Sequence, residues 1–437
     1  MGRLLLSIPA LAALLAAAGS AVASETASEV PAGSSNPSLA KEVEDYLEQA
    51  APAVGEDTTF KAFWKEGLRL ETADGTFKLH LGGRLHLDTV WITSDDYLRA
   101  QTQDQSFFRA LRLAADGTIH TNAFFKIEID FAGSDTALRD IWMGLRKLGP
   151  VGTFTAGHFK EPLSLEALTS DSFPTFMERA AATSTFAPFR NNGVMLNNNF
   201  LEDGMLGVFA GIFKDVNDQG MASDDGSYSF TTRICAFFLH DKETNRVLHV
   251  GFGYSFRNAT NNTLQFRARP DIGAGSYLVD TGTFTANETN LVNFEMTFLF
   301  RTFHVQSEFF MADCSGSGGP DPTFTGWYVE VGWFVTGGVR QYGTERKTIE
   351  RPRIDQDFHA GGGGMGAWQV AFRFDTIDLT DSGIAGGVQE CFTIGANWYW
   401  NPNMRVMFNV IFADIGDGGP FGEGQLTIFG TRFQFDF

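Results

Sequence analysis

Basic side chains recur at alternate positions of short apolar segments along this chain. Arg84 lies among Leu79, Leu81, Leu85 and Leu87, Lys126 among Phe125, Ile127 and Ile129, and Arg373 between Phe372 and Phe374. Arg405 precedes Val406, and Arg432 lies between Thr431 and Phe433. Arg139 and Arg146 extend the set. A guanidinium offers a planar fork of donors to paired oxygens, whereas an ammonium acts as a point charge. Such side chains on one face suit contact with oxyanions. Glu128, Asp130, Asp140, Asp375 and Asp436 share that face, so a salt bridge is the alternative role of each cation. Three further cations, Lys160, Arg179 and Arg190, fall in or beside a stretch without alternation, Pro162–Asn192, and stand against Glu161, Glu166, Asp171 and Glu178. His80, His86 and Asp88 have the types of a hydrolytic set, but no serine lies in a nucleophile motif near them. Walker and zinc signatures are also missing from the sequence. Asp414–Gly419 reads as a surface turn. No enzyme activity, cofactor or metal is expected.

The elements that carry these residues alternate with period two, the mark of a strand with one apolar and one wet face. Phe429, Thr431, Phe433, Phe435 and Phe437 fall on one side of the terminal segment; Ile428, Gly430, Arg432, Gln434 and Asp436 fall on the other. The same pattern runs through Phe77–Trp91, Phe125–Phe131, Phe303–Met311, Trp327–Val335, Trp368–Phe374 and Arg405–Phe412. Weaker versions lie at Phe107–Ile119, Leu138–Lys147, Val151–Phe159, Gly193–Asn199, Met205–Phe213, Ser229–His240, Arg246–Arg257, Leu291–Arg301 and Val388–Trp400. That makes sixteen segments, with an extra candidate at Leu264–Arg269. Their lengths approach the ~9–11 residues of a tilted membrane strand. Asp116-Gly117 and Leu148-Gly149-Pro150 read as tight turns; Asn258–Asn290 and Ala312–Thr325 read as long loops. Turns at one end and loops at the other are the asymmetry of an outer-membrane barrel. The expected fold is an all-β, transmembrane antiparallel β-barrel of about 16 strands, with Pro162–Asn192 folded inward as a constriction loop. A soluble β-sandwich would hide its aromatic faces in a core, and the chain has no helices to cover so large a surface.

Residues 1–23 read as a signal peptide, with Arg3, the apolar run Leu4–Ala18 and Ala21-Val22-Ala23 as cleavage site. Residues 24–59 read as a flexible acidic arm with a possible short helix over Ser38–Ala51, and residues 60–437 as the barrel domain. Export leads to the periplasm, the outer membrane or the medium, and the barrel pattern selects the cell outer membrane of a double-membraned bacterium. There its partners would be lipid, lipopolysaccharide and small hydrophilic solutes. The formal net charge of −19 argues against nucleic acid. Cys235, Cys314 and Cys391 have no metal-ligand spacing, leaving one bridge with one thiol or three inert thiols.

Trp64-Lys65-Glu66-Gly67-Leu68 with the following Phe77–Asp88 resembles the entry of the phosphate-selective porin O/P family. So does the run from Gly157-His158-Phe159-Lys160-Glu161-Pro162 through Phe176-Met177-Glu178-Arg179 to Phe186–Val194. The resemblance implies a 16-stranded barrel, a homotrimer and passive diffusion of small solutes, with a preference for phosphate or polyphosphate. It also implies that inward basic residues, Lys160, Arg179 and Arg190 among them, set that preference. The alternative is an outer-membrane structural or binding barrel that does not conduct, its lumen blocked by Pro162–Asn192.

Overall fold

The computed structural model describes residues 59–437, other than 96, 97, 99, 100, 223–225, 242, 317 and 417. The expected signal peptide and the arm up to residue 58 lie outside the described residues.

Sixteen strands follow one another around a closed sheet. In chain order they are β1 Lys78–Ser94, β2 Gln105–Ile119, β3 Ala123–Asp130, β4 Ala137–Leu145, β5 Thr153–Lys160, β6 Arg190–Phe200, β7 Leu206–Lys214 and β8 Tyr228–Asp241. They continue as β9 Arg246–Asn258, β10 Glu288–Phe300, β11 Phe303–Ser315, β12 Thr323–Thr336, β13 Ala367–Asp381, β14 Ile384–Asn401, β15 Met404–Gly416 and β16 Gly424–Asp436. Each pairs antiparallel with the next, and β16 returns to β1 in the register Asp436↔Arg84, Phe429↔Trp91, Leu426↔Ser94. Closure removes the sheet edge, so each strand finds backbone partners on both sides without water.

The two faces are partitioned the opposite way from a soluble protein. Phe294, Phe309, Trp327, Trp333, Phe372, Phe412 and Phe433 are exposed on the outside. Glu295, Glu308, Glu330, Arg373, Asn397, Arg405 and Arg432 are buried on the inside. Outward rings meet their ladder partners in stacked pairs: Trp91 with Phe429 at 5.4 Å and Phe303 with Trp333 at 5.3 Å. Such cross-strand pairs stabilise a sheet face, and an exposed apolar band around a closed barrel is what hydrocarbon solvates.

At one end the connections are mostly turns: 120–122, 146–152, 201–205, 243–245, 301–302 and 402–403. At the other they are mostly loops, of which 161–189 and 259–287 are the longest. Each end carries one exception. Residues 382–383 join β13 to β14 at the loop end, and 337–366 join β12 to β13 at the turn end. Several expected boundaries shift. Asp116 and Gly117 lie inside β2, and the turn comes three residues later. The Ala312–Thr325 loop shrinks to 316–322. Leu264–Arg269 is no barrel strand: Thr263–Leu264 and Arg267–Ala268 pair with Phe284–Thr285 and Val279–Asp280 inside the loop.

The chain's last residue is tied down. The Phe437 N–H donates to Gly83 O at 3.0 Å, and the Gly83 N–H donates to Phe437 O at 2.9 Å. Beyond it a hairpin of Phe60–Trp64 and Leu68–Thr72 extends the seam by pairing Leu68–Glu71 with Lys78–Leu81. Trp64 stacks on Phe437 at 6.0 Å.

Candidate functional site

The loop 161–189 leaves β5 at Lys160 and rejoins the wall at Arg190, its neck closed by Glu161 N–H to Phe189 O at 2.8 Å. It contains two short helices, α1 Leu165–Leu168 and α2 Ala181–Phe186, which the residue pattern did not announce. Ser164 caps α1 by accepting from Ala167 N–H. The Leu165 and Glu166 N–H groups donate to the carboxylate of Glu308 on β11, at 3.1 and 2.7 Å. A carboxylate opposite the first amides of a helix satisfies donors that have no partner within it. On α2, Ala181, Ala182 and Phe186 pack on inward residues of β11 to β13, with Phe186 stacked on Phe310 at 6.2 Å.

The wall makes room for this loop. A Cβ at Gly395 would lie 2.9 Å from the Phe176 ring, and one at Gly326 would lie 2.9 Å from Ala182 Cβ. Towards the loop end the inward face is also dry. Ile428, expected to be wetted, joins Ile377, Ile411, Ile415 and Leu426 in the apolar cluster that receives α2 and part of loop 259–287.

An extended segment buried in a barrel must find donors for its carbonyls. Here they come from inward side chains. Arg405 donates to Pro174 O at 2.8 Å and Ser172 O at 3.1 Å, and Gln434 adds a bond to Ser172 O at 2.8 Å. Asn397 donates to Thr175 O at 2.8 Å, Arg432 to Met177 O, and Arg373 to Glu178 O at 2.9 Å. Three expected pore cations are therefore placed differently from a basic stripe bordering open water. Arg373, Arg405 and Arg432 point inward but lie sealed beneath the loop, because its carbonyls and carboxylates take them up. Asp88, a member of the imagined hydrolytic set, binds Arg432 at 2.7 Å. His80 bonds Asp116 at 3.0 Å instead.

The other seven expected cations line two cavities. The one towards the loop end has a volume of about 820 Å³ and is bordered by Arg109, Arg112, Arg139, Arg179, Arg257, Arg267 and Arg269. The one towards the turn end, about 580 Å³, is bordered by Arg84, Lys126, Arg146, Lys160, Arg346 and Arg351. Asp171 and Arg190 border both, so these two side chains stand between them. Arg190 grips Asp140 with two nitrogens, at 3.0 and 3.3 Å, and Lys126 reaches the same carboxylate at 3.0 Å. Arg84 lies 3.3 Å from Glu128. Lys160 donates to Thr169 O at 3.2 Å and stands 3.7 Å from Asp171. Arg179 pairs with Asp171 and donates to Glu166 O at 3.1 Å, while its neighbour Glu178 bonds Arg109 at 2.7 Å.

In the loop, burial opposes ionisation of Asp171, yet Arg179, Lys160 and Arg112 together hold it well below the usual carboxylate range. Burial likewise opposes Glu178, but Arg109 and then Arg432 bring it down to about 2. Both are charged at neutral pH.

Taken together, eight arginines face six carboxylates around the loop-end cavity, and seven arginines and lysines face five carboxylates around the turn-end cavity. The passage leans positive inside a chain of net charge −19. Arg109, Arg112, Arg257, Arg267 and Arg269 were missed by residue pattern. Of these, Arg112, between Leu111 and Leu113, and Arg257, after Phe252, Tyr254 and Phe256, carry an alternation signal.

The turn-end exception also enters the barrel. Gly338–Gly343 pairs with Thr348–Ile354 in a hairpin whose side chains are largely buried. Tyr342 Oη meets His249 Nδ1 at 2.8 Å, Arg233 donates to Lys347 O at 2.9 Å, and Arg340 donates to Thr175 Oγ1 of the constriction loop. Arg351 borders the turn-end cavity, its guanidinium 5.0 Å from the Phe173 ring.

A closed sixteen-stranded barrel, apolar outside and polar inside, with a passage narrowed by an inward loop, defines an outer-membrane porin. Comparison with known sequences goes further: the chain belongs to the phosphate-selective porin O and P family, whose profile matches residues 79–437. It is 24% identical to Porin O of Pseudomonas aeruginosa over 429 residues, spanning 88% of this chain and 93% of that protein. It is 28% identical to an uncharacterized protein of Caulobacter vibrioides over 391 residues, 86% of this chain and 76% of the other. Two solved barrels share the fold. The anion-selective porin from Comamonas acidovorans aligns with a TM-score of 0.52 at 12% identity, covering 82% of this chain and 100% of that one. The outer membrane channel DcaP of Acinetobacter baumannii aligns with 0.53 at 11% identity, covering 83% and 99%. The protein is thus a channel for small hydrophilic solutes in the outer membrane rather than an enzyme.

Proposed function

We propose that the channel passes small oxyanions in preference to cations, with inorganic phosphate as the reference solute. The observation that carries this is the surplus of arginine and lysine around both cavities of an otherwise acidic chain. In a narrow low-dielectric passage, fixed charges of one sign focus the field and raise the local concentration of the opposite ion. The residues assigned to the passage are Lys160, Arg179, Arg190, Arg84 and Lys126, joined by Arg112 and Arg139. Arg373, Arg405 and Arg432 hold the loop that shapes it. Membership of a phosphate-selective porin family supports the same preference, as does the anion selectivity of the Comamonas porin. Export by residues 1–23, a barrel domain over residues 60–437, and contact with lipid and lipopolysaccharide complete the reading. Assembly as a homotrimer accords with OmpT of Vibrio cholerae, which has a trimer form and aligns with a TM-score of 0.50.

The test is a planar-bilayer recording of the purified protein under a potassium chloride gradient. An anion-directed reversal potential, with chloride current reduced by added phosphate, is expected. A cation-directed potential refutes the proposal.

A further inference from the structure

Loop 259–287 meets the wall at one place where carboxyl groups outnumber cations. Asp271 of this loop lies against Asp375 of β13 and Cys391 of β14, and all three are buried. Asp375 and Cys391 are direct partners in the β13–β14 ladder, so their side chains stand together on the inner face. One ligand atom from each of the three residues lies within 4.8 Å of the others. Arg373 donates to Asp271 Oδ2 at 2.6 Å and Thr393 donates to the same oxygen at 3.1 Å. That fixes the carboxylate and leaves Asp271 Oδ1 without a hydrogen-bond partner. Asp375, 0% exposed, faces Asp271 and the Ala181 N–H, but neither of its oxygens meets a donor in close hydrogen-bond geometry; Arg373 Nε stands 3.5 Å away. Arg373 is shared once more, with Glu166 at 3.6 Å. One guanidinium therefore serves three carboxylates in an enclosed space, where an unpaired carboxylate is costly.

We propose that Asp271, Asp375 and Cys391 bind a divalent transition-metal ion of the zinc class. The sulfur donor selects against calcium and magnesium, which take oxygen ligands. Asp271 Oδ1, the two oxygens of Asp375 and Cys391 Sγ supply four donors. Such an ion takes oxygen at about 2.1 Å and sulfur at about 2.3 Å, so binding draws together donor atoms that lie within 4.8 Å of one another. Arg373 and Thr393 orient Asp271 from behind, as outer partners of metal ligands do. On binding, a metal–sulfur bond forms, the thiol S–H bond breaks, and the proton leaves to bulk water. The ion reaches the three side chains from the loop-end cavity, which Asp271 borders. Once bound it pins loop 259–287 to the wall beside the loop-end cavity, which Asp271, Arg267 and Arg269 border.

The test is to refold the full chain into detergent micelles with cobalt(II) as the probe, pass it over a chelating resin, and measure bound metal and near-ultraviolet absorption. One cobalt per chain and a thiolate-to-cobalt charge-transfer band are expected. Both should be lost in Cys391→Ser and kept in Cys235→Ser. Asp271→Asn, in the loop rather than the wall, should also lose the metal, and a heat-dependent gel shift establishes that each variant is folded. Wild-type barrel that emerges without cobalt, or a Cys391→Ser protein that keeps both the metal and the band, overturns the proposal.

Discussion

Arg190 borders both cavities, so reversing its charge gives the sharpest test of the passage. Around the loop-end cavity Arg190→Glu turns eight arginines against six carboxylates into seven against seven, and around the turn-end cavity seven against five becomes six against six. The surplus vanishes on both sides at once. For a permeating ion roughly 6 Å away in water, a change of two charges is worth about 1.4 kcal/mol. Screening over a Debye length of about 10 Å at 0.1 M salt leaves about half of that, a factor of roughly four for each ion; anion and cation shift in opposite directions, so the anion-to-cation permeability ratio falls by about tenfold. The loss of the two-pronged grip on Asp140 pushes in the same direction, since that carboxylate keeps only Lys126. The assay is the reversal potential of single channels under a salt gradient, with Arg301→Glu in the turn between β10 and β11 as the control for charge placed outside the passage. If Arg190→Glu leaves the ratio unchanged, or moves it no further than Arg301→Glu does, the assignment of the narrow passage fails.

Three other perturbations probe the support of the loop. Arg405→Leu leaves the carbonyls of Ser172 and Pro174 short of a buried donor, at a cost of about 2–4 kcal/mol; a lower urea midpoint and noisier open-channel current are expected, and an unchanged midpoint contradicts the anchoring role. Gly395→Leu drives a side chain into the position of Phe176 and should displace the loop, changing single-channel conductance while the heat-dependent gel shift of a folded barrel persists; an unaltered conductance counts against the seating described. Acid should loosen the loop through Glu178, whose folded pKa is lowered from 4.5 to about 2. Its contribution is complete above about pH 4.5 and is lost as pH falls towards 2, about 3 kcal/mol in all. Current fluctuations should rise over that window, and Glu178→Gln should show them already at neutral pH.

The strands were legible because a membrane barrel writes its two environments into alternate residues, and the terminal Phe429–Phe437 pattern carries both the lipid face and the closing register. Asp116-Gly117 misled because the dipeptide has turn chemistry, whereas here the glycine serves close approach: a Cβ at Gly117 would lie 2.1 Å from Lys78 O. Gly338–Ile354 was opaque because a hairpin enclosed by protein on both faces has no lipid side to mark it. Alternation told that Arg373, Arg405 and Arg432 point inward but could not tell what covers them, since their partners are backbone carbonyls, which every residue possesses. Arg267 and Arg269 reach the passage from a long loop, where period carries no information.

The way the inner strap is fastened constrains anyone who would widen this conduit by excision. Cutting out the segment between the necks at Lys160 and Arg190 would do more than clear space, because Arg373, Arg405 and Arg432 would lose its carbonyls and, for Arg432, Glu178 as well. The enlarged bore would inherit newly bared guanidinium groups along one side, and a mutant built to be indifferent to solute would become a hungrier trap for anions than its parent.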